Sequence, residues 1–154
     1  MSTAYIETIQ RIERLHRQFL ETIKDELDRL GIRDLNAVQA MILFNLGGEQ
    51  MTVGDLTHRG CYQGSNVSYN VKKLVELGYL TQQRADHDRR ATYLACTTKG
   101  HEIRGHIQQL MDANAAEAAS LSVDVEAAAD SLGGIERALA TARMNQHAAS
   151  RRVA

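Results

Sequence analysis

Between Gly64 and Gly78 runs Ser65-Asn-Val-Ser-Tyr-Asn-Val-Lys-Lys-Leu-Val-Glu-Leu77, a segment whose polar and apolar residues are sorted at helical spacing. If Val67, Val71, Leu74 and Val75 face a core, a turn of about 100° per residue places Ser65, Asn66, Tyr69, Lys72, Lys73 and Glu76 on the opposite face. Ser68 and Asn70 fall at its edges. Asn can bond adenine through two hydrogen bonds, Ser can bond either base type, and Tyr can touch a thymine methyl, so this face has the chemistry of a major-groove reader. Base contacts come mostly from the N-terminal end of such a helix. That assigns Ser65, Asn66, Tyr69 and, from the edge, Asn70 to bases and Lys72 and Lys73 mainly to phosphates, with Ser68 among the DNA-binding residues. A solvated helix face carries the same residue types, so the helix alone does not decide.

A second cluster follows immediately. Arg84, His87, Arg89 and Arg90 concentrate cationic or protonatable groups around Ala85-Asp-His-Asp-Arg-Arg90, a charged tip suited to a phosphate backbone or an adjacent minor groove. Asp86 or Asp88 could instead hold an arginine in shape, and both roles can coexist on one turn.

Other chemistry finds little support. There is no GxSxG, phosphate-binding glycine loop or HExxH, so the residues do not point to an enzyme. Cys61 and Cys96 lack a CxxC partner, so free thiols are expected, and Cys61 beside Arg59 is the better candidate for a reactive thiolate. His101 and His106 fall on opposed sides of one helix, and His16, His58, His87 and His147 are scattered. No metal and no cofactor is expected.

The elements that must position these residues are mostly helical. From Tyr5 to Leu30, Ile6, Ile9, Ile12, Leu15, Phe19, Ile23, Leu27 and Leu30 form an amphipathic stripe, which Gly31 ends. Asn36 with Gln39 makes a capping pair for a second helix, Ala37 to Leu46, closed by Gly47-Gly48. Thr52 and Asp55 form a capping box opening Val53 to His58, which is expected to stop at Arg59-Gly60. After a short loop comes the polar-faced helix described above, with Gly78 as a left-handed stop. Two short helices joined by a Gly-containing turn suggest a helix-turn-helix. Tyr79 to Arg84 and Ala91 to Cys96 then read as strands of a hairpin. Thr97 or Thr98 caps a long helix to about Ser120, Ser122 caps a last one from Val123 to about Met144, and the tail from Gln146 to Ala154 is expected to fray.

Composition sets the frame. Hydrophobic residues at 44% against 24% charged describe a globular chain, which excludes global disorder. No apolar run is long enough to span a bilayer, and the N-terminus alternates charged with apolar residues, so a cytoplasmic protein without membrane association is expected. The net charge of -1 hides an asymmetry: Arg59 to Lys99 carries seven Lys or Arg against three acids, a net of +4, leaving -5 elsewhere. A basic middle between acidic ends suits a chain whose middle meets phosphate.

In the order of its motifs the chain resembles the MarR family of winged helix-turn-helix regulators. The carrying residues are Leu35-Asn36-x-x-Gln39, Met51-Thr-Val-Gly-Asp-Leu56, Ser65-Asn-Val-Ser68, Lys73-Leu-Val-Glu-Leu-Gly-Tyr-Leu80, Arg84-x-Asp-x-Asp-Arg-Arg90 and Thr97-Thr-Lys-Gly100. The resemblance spans nearly the whole chain. It implies a mainly α fold with a small β wing: one domain, with residues 35–97 as the DNA-binding module and residues 1–34 and 98–154 as dimerisation helices. It further implies a homodimer on double-stranded DNA, with Ile6, Ile9, Leu110, Met111, Leu121, Leu132, Ile135 and Leu139 as candidates for the dimer core or for the core within one chain. One wing arginine would enter the minor groove while an Asp–Arg pair stiffens the turn. Here only His87 separates Asp86 and Asp88, one residue fewer than in many members, which leaves open whether Arg89 is the minor-groove reader. A small-molecule effector pocket would draw on His16, Phe19, Met41 and Phe44, residues that ordinary core packing would also explain. The alternatives are a thiol-based redox sensor, although the first helix holds no cysteine, and a helical protein-interaction adaptor that does not bind DNA.

Overall fold

In the computed structural model, residues 2–60, 64–87 and 90–153 are described, and the element order is α1 (Ser2–Arg29), α2 (Ala37–Leu46), β1 (Met51–Thr52), α3 (Val53–Gly60), α4 (Gly64–Glu76), β2 (Leu80–Arg84), β3 (Thr92–Cys96), α5 (Thr98–Ser120) and α6 (Val125–Val153). The chain divides into two units, Met1–Met111 and Asp112–Ala154.

The first unit is organised around α2. Its sequence AVQAMILFNL is apolar on nearly every side, as suits a helix enclosed by neighbours, and it packs against α1, α3, α4 and β3. Asn36 and Gln39 form the expected capping box: Asn36 Oδ1 accepts from the Gln39 amide at 2.8 Å, and Gln39 Oε1 accepts from the Asn36 amide at 3.1 Å. Ile42, Leu43 and Leu46 are fully buried with Ile23, Leu56, Val67, Leu74, Leu94 and Ile107, contributed by five other elements. Each such side chain contributes roughly 1.5–3 kcal/mol by leaving water.

The sheet is antiparallel in the order β1-β3-β2, with Met51 opposite Leu94 and Leu80 opposite Cys96. The two-residue β1 was not legible in the sequence, being too short to show an alternation. It is secured at its end by the Thr52–Asp55 box, in which Asp55 Oδ2 accepts from the Thr52 amide at 3.1 Å and Thr52 Oγ1 from the Asp55 amide at 3.0 Å. Helix α3 runs two residues past His58 to end at Gly60, within the expected Arg59-Gly60 stop, and Gly64 is the first residue of α4.

In the second unit two expectations need correction. Ser122 does not cap α6. It takes a left-handed φ of 57°, and its amide donates to Ala119 O while that of Val123 donates to Ala118 O, which makes it the turn residue that closes α5. Asp124 is the cap instead, its Oδ1 accepting from the Ala127 amide at 2.9 Å. The helix then runs to Val153 rather than ending near Met144, since nothing from Asn145 onward is a glycine or proline that would interrupt it.

Apolar surface concentrates at the two ends of the chain. On α1 Ile23 and Leu27 are buried, but Ile6 is 52% and Leu15 61% exposed. Leu121, Val125, Leu132, Leu139 and Met144 are likewise exposed.

Candidate nucleic-acid interface

The sorting of α4 is as its spacing required. Val67, Val71 and Leu74 are buried and Val75 half-buried, while Asn66, Ser68, Tyr69, Lys72, Lys73 and Glu76 are exposed. Tyr69 stands 67% exposed, an arrangement unusual for a ring of that size and open to any surface that approaches α4. Ser65 lies in the first turn, its side chain outside the described residues.

Asn70 differs from its neighbours. Its Oδ1 accepts from Gln39 Nε2 at 3.2 Å and its Nδ2 donates to the Asn66 carbonyl at 2.9 Å, so its amide is engaged toward α2 and along α4. The bond to Gln39 was not foreseeable from spacing, since Gln39 is remote in sequence.

The other end of α4 is held more firmly. Gly78, at φ 81°, donates its amide to Val75 O, and the Tyr79 amide donates to Leu74 O at 2.9 Å, closing the helix in a Schellman turn. Thr97 then binds this turn to the start of α5: its hydroxyl donates to Gly78 O at 2.7 Å and accepts from the Gly100 amide at 3.1 Å. Lys99 Nζ reaches back to Leu77 O at 3.0 Å and to Asp34 Oδ2 at 3.5 Å, and lies 4.0 Å from the centroid of the Tyr79 ring. The Tyr79 hydroxyl donates to Asp34 Oδ1 at 2.8 Å. Thr97-Thr-Lys-Gly100 is therefore the clasp that fixes where α4 ends, with Asp34, from the segment before α2, as its third strap. Burial pushes the Tyr79 phenol well up, and the facing Asp34 carboxylate pushes it further.

The wing is the β2–β3 hairpin, with Arg84 opposite Thr92 and the Ala85 amide donating to Ala91 O at 3.0 Å. Arg84, Asp86, His87 and Arg90 are all exposed. Asp88 and Arg89, and with them the minor-groove assignment, lie outside the described residues. Two open clefts flank the wing: one of about 390 Å³ between Gln50, Arg84, His87 and Tyr93, and one of about 340 Å³ between Thr52–Gly54 and Arg90–Thr92.

Of the candidate pocket residues, Phe19, Met41 and Phe44 pack half-buried against the core, whereas His16 is exposed on α1. Cys96 is half-buried, its Sγ 3.8 Å from Leu43 O, and burial pushes its thiol up despite the nearby Arg104 charge. Cys61 lies outside the described residues. Among the described residues no three His, Cys, Asp or Glu side chains are grouped to hold a metal, and no helix is long and apolar enough to cross a membrane.

Residues 35–100 match a family model described as "Winged helix DNA-binding domain". The exopolysaccharide II synthesis transcriptional activator ExpG of Rhizobium meliloti (strain 1021) is 33% identical over 105 residues, which cover 68% of this chain and 54% of that protein. The chain thus spans about half the length of this curated relative. Among solved structures, the transcriptional regulator BldR from Sulfolobus solfataricus superposes with a TM-score of 0.72 at 21% identity, covering 86% of this chain and 94% of its own. A MarR variant from E. coli, solved in complex with operator DNA, gives 0.61 at 17% identity over 78% and 84%. At these identities the structures show the fold.

Proposed function

We propose that this chain, a winged-helix DNA-binding protein with the fold of the MarR regulators, acts as a transcription regulator that binds duplex DNA as a homodimer. The single observation that carries the reading is α4 itself: an exposed face of amide, hydroxyl, phenol and ammonium groups opposite an aliphatic face on which Val67, Val71 and Leu74 are buried, with the clasp fixing its far end. Asn66, Ser68 and Tyr69, with Ser65, meet base edges; Lys72 and Lys73 meet phosphates; Arg84, His87 and Arg90, with Arg89, carry the wing to the backbone. Asn70 acts from behind the reading face.

The dimer is supported by the apolar side chains left in solvent at both ends of the chain, Ile6 and Leu15 on α1 and Leu132 and Leu139 on α6, which a second copy would cover. Residues 35–97 then serve as the DNA-binding module, and residues 1–34 and 98–154 as the dimerisation region. Phe19, Met41 and Phe44, with His16 at the rim, are the lining for a small-molecule effector. The compartment consistent with this role is the cytoplasm.

Footprinting on the DNA flanking the gene tests the proposal. Two protected half-sites are expected, with affinity falling steeply as salt rises. Asn66→Ala should relax sequence preference, whereas Lys72→Ala should weaken all sequences alike and flatten the salt slope by about one. Folded protein that protects no site at moderate salt would sink the regulator reading.

A further inference from the structure

We infer that Gln39 is a positioning residue for base reading, setting the rotation of α4 about its own axis so that Asn66 faces outward at the right angle. The inference rests on the DNA-binding reading and deepens it.

Among the described residues Gln39 is the one buried polar side chain, at 5% exposure. Both ends of its amide are engaged, on two helices. Oε1 closes the capping box at the start of α2, Nε2 donates to Asn70 Oδ1, and Asn70 Nδ2 passes the restraint to the Asn66 carbonyl. A buried amide left unpaired is costly, so α4 is held where Asn70 meets Gln39. Turning α4 by a single residue, about 100°, would carry Asn70 away from α2 and leave Gln39 Nε2 without an acceptor. The aliphatic contacts of Val67, Val71 and Leu74 are non-directional and tolerate small rotations; the amide pair does not. The C-terminal clasp fixes the axial position of α4. The Gln39–Asn70 bond fixes its rotation at the N-terminal half, where bases are read.

Gln39→Glu isolates this role. The carboxylate still accepts from the Asn36 amide, so the cap of α2 survives, but it faces Asn70 Oδ1 with an acceptor instead of a donor. The expected result is a roughly tenfold fall in the ratio of operator to random-sequence affinity, equivalent to about 1.4 kcal/mol, with random-sequence affinity and salt slope unchanged. Where burying a charge lowers the melting point, Gln39→Met removes the Nε2 donor without adding a charge, though it also gives up the Asn36 cap, and should show the same fall in the ratio. The double variant Gln39→Leu/Asn70→Leu, apolar on both sides, should recover the stability lost with the Gln39–Asn70 bond, though not that of the Asn36 cap, and should not recover discrimination. A ratio unchanged in folded Gln39→Glu and Gln39→Met, or discrimination restored together with stability in the double variant, would overturn the inference. Either result leaves the DNA-binding reading standing, since wild-type protein would still show specific binding. Absence of specific binding by the wild type would remove both.

Discussion

Lys99 Nζ lies 4.0 Å from the centroid of the Tyr79 ring and, in the same pose, donates to the carbonyl of Leu77 at the end of α4. One ammonium thereby joins the first turn of α5 to the residue that follows α4. The ring is 2% exposed, so the contact is drawn partly out of water, where a cation over an aromatic face is worth about 0.5–2 kcal/mol. Lys99→Met should keep the aliphatic packing but lose the cation. Urea denaturation should show a loss of about 1–2 kcal/mol, and DNA affinity should fall although Lys99 lies outside the proposed contact face. Tyr79→Phe removes only the hydrogen bond to Asp34 and should lose about 0.5–1.5 kcal/mol. Equal stability of wild type and Lys99→Met would show that the clasp is idle.

The same clasp predicts an acid dependence. Burial of the Asp34 carboxyl works to raise its pKa, but the hydrogen bond from Tyr79, the charge of Lys99 and hydrogen bonds from the Asp34 amide and from Lys99 outweigh it and hold it below the ordinary aspartate value. A depressed folded-state pKa means that the unfolded chain takes up protons first as the pH falls. The stabilisation is therefore complete above the unfolded value of about 4 and is lost as the pH drops through the folded one. Asp34 and Lys99 are both substantially exposed, so the effect is small, at most about 1 kcal/mol. Melting temperatures measured from pH 6 to pH 3 should fall more steeply in the wild type than in Asp34→Asn, and parallel curves would refute the assignment.

Gly100 is fixed by contact rather than by conformation. A Cβ there would overlap the Tyr79 carbonyl oxygen and sit 3.3 Å from Cys96 Cβ, and the obstacle is backbone that is itself held by Thr97. Gly100→Ala, ordinarily favourable inside a helix, should destabilise by about 1–3 kcal/mol. Thermal unfolding checks it; an unchanged or raised melting point would mean that α5 can shift without consequence.

What could be read from the sequence was local. The Asn36–Gln39 box, the Gly78 stop and the buried and exposed faces of α4 all depend on residues within a turn or two of each other, and each is found where spacing placed it. What could not be read depends on partners distant in the chain. Thr97-Thr-Lys-Gly100 stood out as a pattern, yet nothing in it says that the lysine turns back to Leu77 and Asp34. Gln39 read as a capping residue and is one, but its second bond, to Asn70, exists only once α2 and α4 are packed. Ser122 differs from its expected role for another reason: serine suits an N-cap, and only the hydrogen bonds of Ser122 and Val123 back into α5 show that it serves the preceding helix.

Cys96 should behave as an unreactive thiol. Burial raises its pKa, which keeps the thiolate fraction low at neutral pH, and the half-buried sulfur sits against the Leu43 carbonyl. In a Cys61→Ser background, a disulfide reagent should label native protein slowly and urea-unfolded protein at once. Fast labelling of the native state would make Cys96 a candidate redox switch.

The apolar ends of the chain supply the last prediction. Leu132 and Leu139 lie seven residues apart, two turns along one face of α6, and are 44% and 45% exposed, with the half-buried Ile135 between them. A single chain derives little stability from this face, so replacing it with charge should not unfold the monomer. Covered by a second copy, the same face would contribute roughly 1.5–3 kcal/mol per fully buried leucine, and a carboxylate there would oppose association strongly. Leu132→Glu/Leu139→Glu should therefore convert a dimer to a monomer by light scattering at micromolar concentration, with helix content retained by circular dichroism. Operator affinity should drop by orders of magnitude because two half-sites are no longer engaged together, while random-sequence binding per chain changes little. A double variant that stays dimeric would place the self-association surface elsewhere, with the exposed Ile6 and Leu15 of α1 the next to test.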